Sequence, residues 1–117
     1  MDYIALFKEK QIECDIEPYA LNDIGTAQLF YDLHSESIRY VKEPRAWYVF
    51  DGRLWVKDED GFYVMEMCKA FAQAYAHYAK QFEDDAEYRA YVKYAIGLTA
   101  RKKREGILSD ARSIRPI

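Results

Sequence analysis

Residues that usually carry chemistry or cross-links are scarce in this chain. Its 117 residues include two cysteines and two histidines. Cys14 and Cys68 lie far apart and in no C-x-x-C spacing, which excludes a disulfide framework and fits unpaired thiols in a reducing compartment. His34 and His77 stand alone, and a lone histidine on a helix is more often a surface or capping residue than a catalyst. Together with two scattered cysteines they make a poor zinc set. No apolar run approaches the length of a membrane span. Lys8 and Lys10 are followed by no apolar core, so the start is not a secretory signal. The phosphate-cradling G-x-x-x-x-G-K-[ST] and G-x-G-x-x-G are missing, as are G-x-S-x-G and H-E-x-x-H. Carboxylates cluster at Asp58-Glu59-Asp60 and Asp84-Asp85, in stretches that read as solvated turns and caps. The expectation is a domain with no catalytic residue, no metal, no cofactor and no membrane contact.

What is present is apolar bulk: 50% of residues are hydrophobic and 16% aromatic, enough for the core of one domain. The formal charge is −3, which by itself points to neither nucleic acid nor membrane. The average hides an asymmetry. From Thr99 to Ile117 there are six basic residues and two acids, a local net of +4, and the preceding 98 residues carry 11 basic and 18 acidic, a net of −7.

The pattern along the chain predicts an α+β fold: an N-terminal helix, a three-stranded antiparallel meander, then a mainly helical C-terminal half. Residues 1–21 read as a leader, with a short helical turn placing Ile4, Phe7 and Ile12 inward and Pro18 breaking any run. A single domain occupies 22–117. Asn22 is an N-cap for a helix whose Ile24, Ala27, Leu29, Phe30 and Leu33 form an apolar stripe and which ends between His34 and Ser37. Strands follow at Ile38 to Val41, Ala46 to Phe50 and Arg53 to Lys57, with a turn at Pro44. Asp51-Gly52 predicts a two-residue hairpin turn that sets Val49 opposite Leu54 and Trp47 opposite Val56. One face then carries Trp47, Val49, Leu54 and Val56. The other carries Tyr48, Phe50, Arg53, Trp55 and Lys57. A long helix runs from Phe62 to about Phe82, with Val64, Met67, Cys68, Phe71, Ala74, Tyr75 and Tyr78 on one side. Asp84 or Asp85 caps the next, with Tyr88, Tyr91, Tyr94, Ala95 and Leu98 inward. Gly97 at C′ and Thr99 as N-cap predict a break before a last helix from Ala100 to about Ser113.

Two features bear on function. The aromatic hairpin face is either covered by helices or open as a stacking platform, where Arg45, Arg53, Trp55 and Lys57 act together on single-stranded nucleic acid. The run Arg101-Lys102-Lys103-Arg104 places four cations in a first helical turn, where acids are preferred and folding gains nothing from bases. An anion would gain, because helix N-terminus and side chains both attract phosphate. The alternative is the solvated face of one unbroken helix from Glu87 to Ile114.

The order of motifs resembles the helical N-terminal module of phage and plasmid primase–helicases, also found beside the poxvirus-type helicase. Over residues 22–117 the family's pattern maps to Asp23, Gly25, Ala27 and Phe30; to Trp47, Phe50, Asp51, Gly52 and Trp55 about the hairpin; and to Thr99, Arg101, Leu108 and Ala111. The resemblance implies a non-catalytic accessory domain of a mobile-element replication enzyme, in the cytoplasm of a bacterial host. The superfamily 3 ATPase and primase of its relatives, with their Walker lysine, are not in these residues. The partners implied are single- or double-stranded DNA and the helicase or primase domains of the same or another chain. The alternative is an assembly module that contacts the helicase ring or another replication protein and has no DNA affinity of its own.

Overall fold

A computed structural model of the chain describes residues 21–79 and 84–117, and side chains of 76–79 are left aside. The helical turn at Ile4 to Ile12, the break at Pro18, the side chains of His77 and Tyr78, and the expected end near Phe82 lie outside the described residues. The elements run α1 (Asp23–His34), β1 (Ile38–Val41), β2 (Ala46–Phe50), β3 (Trp55–Lys57), a 3-10 turn (Glu59–Gly61), α2 (Phe62–Ala79), α3 (Asp85–Gly97) and α4 (Arg101–Ala111). The order and class are those expected from the sequence.

Three of the described helix starts, those of α1, α2 and α3, have a side-chain cause. Asn22 accepts a hydrogen bond from Gly25 N–H at 2.7 Å, capping α1. Asp84 accepts one from Glu87 N–H at 3.0 Å, capping α3. Asp58 is not a solvated turn residue: it is buried, and its two carboxylate oxygens accept from Tyr63 N–H and Val64 N–H, each at 2.9 Å. The chain reaches α2 through two left-handed residues, Asp60 (φ 57°) and Gly61 (φ 67°).

The three strands form an antiparallel sheet in the order β1-β2-β3. Val49 pairs with Ile38 on one side and Val56 on the other, and Phe50 pairs with Trp55. The hairpin is therefore not closed by a two-residue turn. Asp51 to Leu54 form a four-residue loop. In it the Asp51 carboxylate accepts from Arg53 N–H and Leu54 N–H at 2.8 Å, while Asp51 N–H donates to Leu54 O at 3.0 Å. Gly52 takes φ 101° in the loop. β3 slides by two residues relative to the expected register. An even shift preserves the faces, so only Leu54 and Arg53 leave the sheet. On the other side of the sheet, Ile117 pairs with the outer edge of β1, donating to Tyr40 O at 2.9 Å and accepting from Lys42 N–H at 2.7 Å.

Among the described residues, the helices cover one face of the sheet. Ile38 and Trp47 are buried on it, with Tyr40 and Val49 packed against the core. Phe30, Phe71 and Tyr75 continue the core as a chain of edge-on rings, Phe30 to Phe71 at 5.4 Å and Phe71 to Tyr75 at 5.7 Å. α1 packs on α4, and α2 on α3 and α4. Four residues expected on a core-facing side are exposed: Ile24 in the first turn of α1, Tyr88 near the start of α3, Leu54 in the hairpin loop, and Val56 in the short edge strand β3. All four sit at the margins of the fold, where periodicity no longer guarantees a neighbour. His34 is neither surface nor cap. It is buried at the end of α1, with Nδ1 2.8 Å from Phe30 O, and burial pushes its pKa down.

Candidate functional site

The expected break between the last two helices exists, one residue later than expected. Gly97 is the last residue of α3 rather than its C′ residue, Leu98 is the C-cap, and Ala100, which has no capping side chain, precedes α4. Thr99 instead turns its hydroxyl back to Ile96 O at 2.7 Å. One unbroken helix from Glu87 is thus excluded. Arg101, Lys102, Lys103 and Arg104 do occupy the first turn of a true helix, with no acid among them.

Those four cations divide into two kinds. Arg104 is half-buried, and its Nη1 donates to Leu98 O at 3.0 Å and Thr99 O at 2.7 Å, closing the carbonyls left open at the end of α3. Lys103 lies 2.8 Å from Asp23 and 5.0 Å from the ring centre of Tyr94, whose hydroxyl also donates to Asp23 at 2.8 Å. This knot ties the start of α1 to α3 and α4. It holds the Asp23 carboxyl below the ordinary carboxylate range, chiefly through Lys103, and burial pushes the Tyr94 hydroxyl up. The expectation that folding gains nothing from basic residues here is wrong for both. Arg101 and Lys102 are different. Arg101 is exposed and makes a surface ion pair with Glu105 at 3.0 Å, worth little in water. Lys102 is exposed, with no ion pair among the described residues.

The second group lies on the sheet. The face turned away from the helices carries Arg39, Tyr48, Phe50, Trp55 and Lys57, by the register and the two-residue alternation of strands. Phe50 and Trp55 are 39% and 38% exposed, and none of the described helices covers this face. Their rings meet at 5.3 Å, and the Arg39 guanidinium stands 4.9 Å from the Trp55 ring centre. Arg39 was not singled out in the sequence. The signal that could have found it is its place opposite Tyr48 in the meander. Arg53 is exposed in the hairpin loop rather than on the strand face. Arg45 is exposed in the β1–β2 turn and holds a left-handed φ of 63°.

Two adjoining clefts link these groups. One, of about 350 Å³, is lined by Arg45 and Lys57, and the other, of about 370 Å³, by Arg101. Both share Trp47, Asp60, Gly61 and Arg112. Arg112, also missed in the sequence, stacks its guanidinium 5.2 Å from the Tyr40 ring centre. Glu59, Asp60, Glu66 and Glu105 line the clefts as well, so they are mixed in charge. Among the described residues, no three His, Cys, Asp or Glu side chains come together as metal ligands. No helix among them is long and apolar enough to cross a membrane. Cys68 is buried, and burial pushes its thiol up to about 12, which removes it as a nucleophile at neutral pH.

No curated protein and no solved structure shows a significant match to the chain. A family model described as "D5 N terminal like" matches residues 27–117, a span that takes in α1 from its second turn, the whole sheet and every later described helix. The chain therefore belongs to the D5 N-terminal-like family, the non-catalytic accessory module associated with the superfamily 3 helicases of phage and poxvirus-type primase–helicases.

Proposed function

We propose that this module helps a phage or mobile-element primase–helicase engage or load on DNA, in the cytoplasm of a bacterial host. The observation that carries the reading is the set of cations that the fold does not use for itself. Arg45, Arg53, Lys57 and Lys102 are exposed with no ion pair among the described residues, and Arg101 has only a surface partner. Side chains of this kind suit phosphate oxygens, which give affinity and register without reading sequence. Arg101 and Lys102 also stand at the positive end of α4, where an anion is favoured. The helicase and primase domains of the same or another chain are the protein partners this role calls for.

A second reading has its own support. Leu54, Val56, Phe62 and Tyr63, at the end of the hairpin and the start of α2, are exposed apolar residues of the kind that protein contacts cover. On that reading the module joins the helicase ring to its neighbours without touching DNA.

A salt titration of DNA binding separates the two. Phosphate contacts release counterions, so affinity should fall steeply with salt, with a log–log slope of about −0.7 to −0.9 per contact. The double variant Arg101→Glu, Lys102→Glu should bind more weakly and reduce that slope by roughly one to two. Lys103 and Arg104 are left intact because their loss would disturb the fold. A folded wild-type chain that binds no DNA at low salt would sink the proposal and favour the assembly reading.

A further inference from the structure

Arg39 and Lys57 are the only charged residues within the three strands. Both are basic, both lie on the open face, and they flank Tyr48 in one cross-strand row, Arg39 opposite Tyr48 and Tyr48 opposite Lys57. The next row toward the hairpin tip is Phe50 beside Trp55. In a chain of net charge −3, this sheet face carries three aromatic rings, two cations and no acid. The Arg39 guanidinium lies over the Trp55 ring and sets positive charge beside the indole. The exposed aromatic area is not needed for the core, since the core lies on the opposite face with Ile38 and Trp47.

From this we infer that the open sheet face is a base-stacking surface, and that the form of DNA the module takes is a single strand. The inference rests on the proposal that the chain engages DNA, and it adds the ligand's form and the residues Arg39, Tyr48 and Phe50. Stacking requires a base whose π-face is free, which a single strand offers and a duplex buries between its neighbours. A pleated row of aromatics with cations at its margins presents both halves of what such a strand needs: rings for bases, and Arg39 and Lys57 for the phosphates. A partner protein chosen by this face would need an acidic and aromatic surface together, a narrower requirement than an unpaired polynucleotide meets by its own chemistry.

The test measures binding of a labelled oligothymidylate and of a duplex of equal length by the wild type, Trp55→Ala, Trp55→Phe and the Arg101→Glu, Lys102→Glu pair. Cooperative thermal unfolding confirms that each is folded, and Trp55 is half-exposed, so its truncation should spare the core. The expected result is that Trp55→Ala weakens the single strand by about tenfold, in line with loss of one stacked base. Trp55→Phe, which keeps an aromatic face, should recover most of it. Duplex binding should be weaker and unmoved by Trp55→Ala. If folded Trp55→Ala binds oligothymidylate as the wild type does, the stacking surface is refuted, while DNA engagement stands provided the glutamate pair still weakens binding. Equal losses on single strand and duplex overturn the single-strand assignment. If the wild type binds neither probe, the DNA reading itself falls and this inference falls with it.

Discussion

Asp58 shows how much one side chain carries. Its carboxylate satisfies two of the open N–H groups at the start of α2 while its own N–H donates to Trp47 O at 2.9 Å, so it joins the sheet to the longest helix. Replacement by alanine removes both acceptors. Urea denaturation should find Asp58→Ala destabilised by about 1–2 kcal/mol, with the slope unchanged. Asp23 gives a pH-dependent counterpart. Its folded pKa lies below the unfolded value, so its contribution is fully present above about pH 4 and is lost as pH falls through the folded value. The stability gap between wild type and Asp23→Asn should therefore be widest at neutral pH and close in acid. Its size should stay below about 1 kcal/mol, because the Lys103–Asp23 pair is more than a third exposed and screened by solvent. Neither role was legible in the sequence. Asp58 sits in an acidic run that reads as solvated, and the partners of Asp23 lie far along the chain, at Tyr94 and Lys103.

At the scale of elements, the junction between α3 and α4 combines a fold requirement and the surface we propose for DNA in four consecutive residues. Arg104 faces inward to the carbonyls of Leu98 and Thr99, and Lys102 faces solvent. Arg104→Ala should cost about 1.5–3 kcal/mol in chemical denaturation, as loss of charged hydrogen bonds does, whereas Lys102→Ala should stay within about 0.5 kcal/mol. A result with the two variants equal would contradict this division. The break was readable near Gly97 and Thr99, but neither plays its expected part: Gly97 stays in α3 without a left-handed φ, and Thr99 turns its hydroxyl back to Ile96 O instead of capping α4. The side each cation takes was not readable, because it depends on where α3 ends in space. The hairpin repeats the lesson. Asp51-Gly52 marked the turn correctly, but the Asp51 side chain binds two later N–H groups and holds a four-residue loop that a dipeptide signal does not reveal. The faces survived because the slip was even.

At the scale of the whole molecule, the described helices lie on one side of the sheet, and its other side is aromatic and basic. The alternation of Tyr48, Phe50, Trp55 and Lys57 was plain in the sequence. Which face the helices cover was not, since two faces with aromatic residues compete equally for burial in a one-dimensional pattern. Ile38 and Trp47 decide it by belonging to the buried core cluster that also holds Phe30. The family's motif residues divide along the same line: Ala27, Phe30, Trp47, Leu108 and Ala111 are buried, whereas Phe50, Trp55 and Arg101 are exposed. The first set builds the module and the second is available to a partner.

The most direct measurement is amide chemical-shift mapping of the isotopically labelled chain on titration with a single-stranded oligonucleotide. DNA engagement through the open face and the start of α4 predicts shifts concentrated at Arg39, Tyr48 to Lys57, and Arg101 and Lys102, with α3 between Asp85 and Lys93 undisturbed. A folded protein whose spectrum does not move, or moves only around Phe62 and Tyr63, would contradict the account.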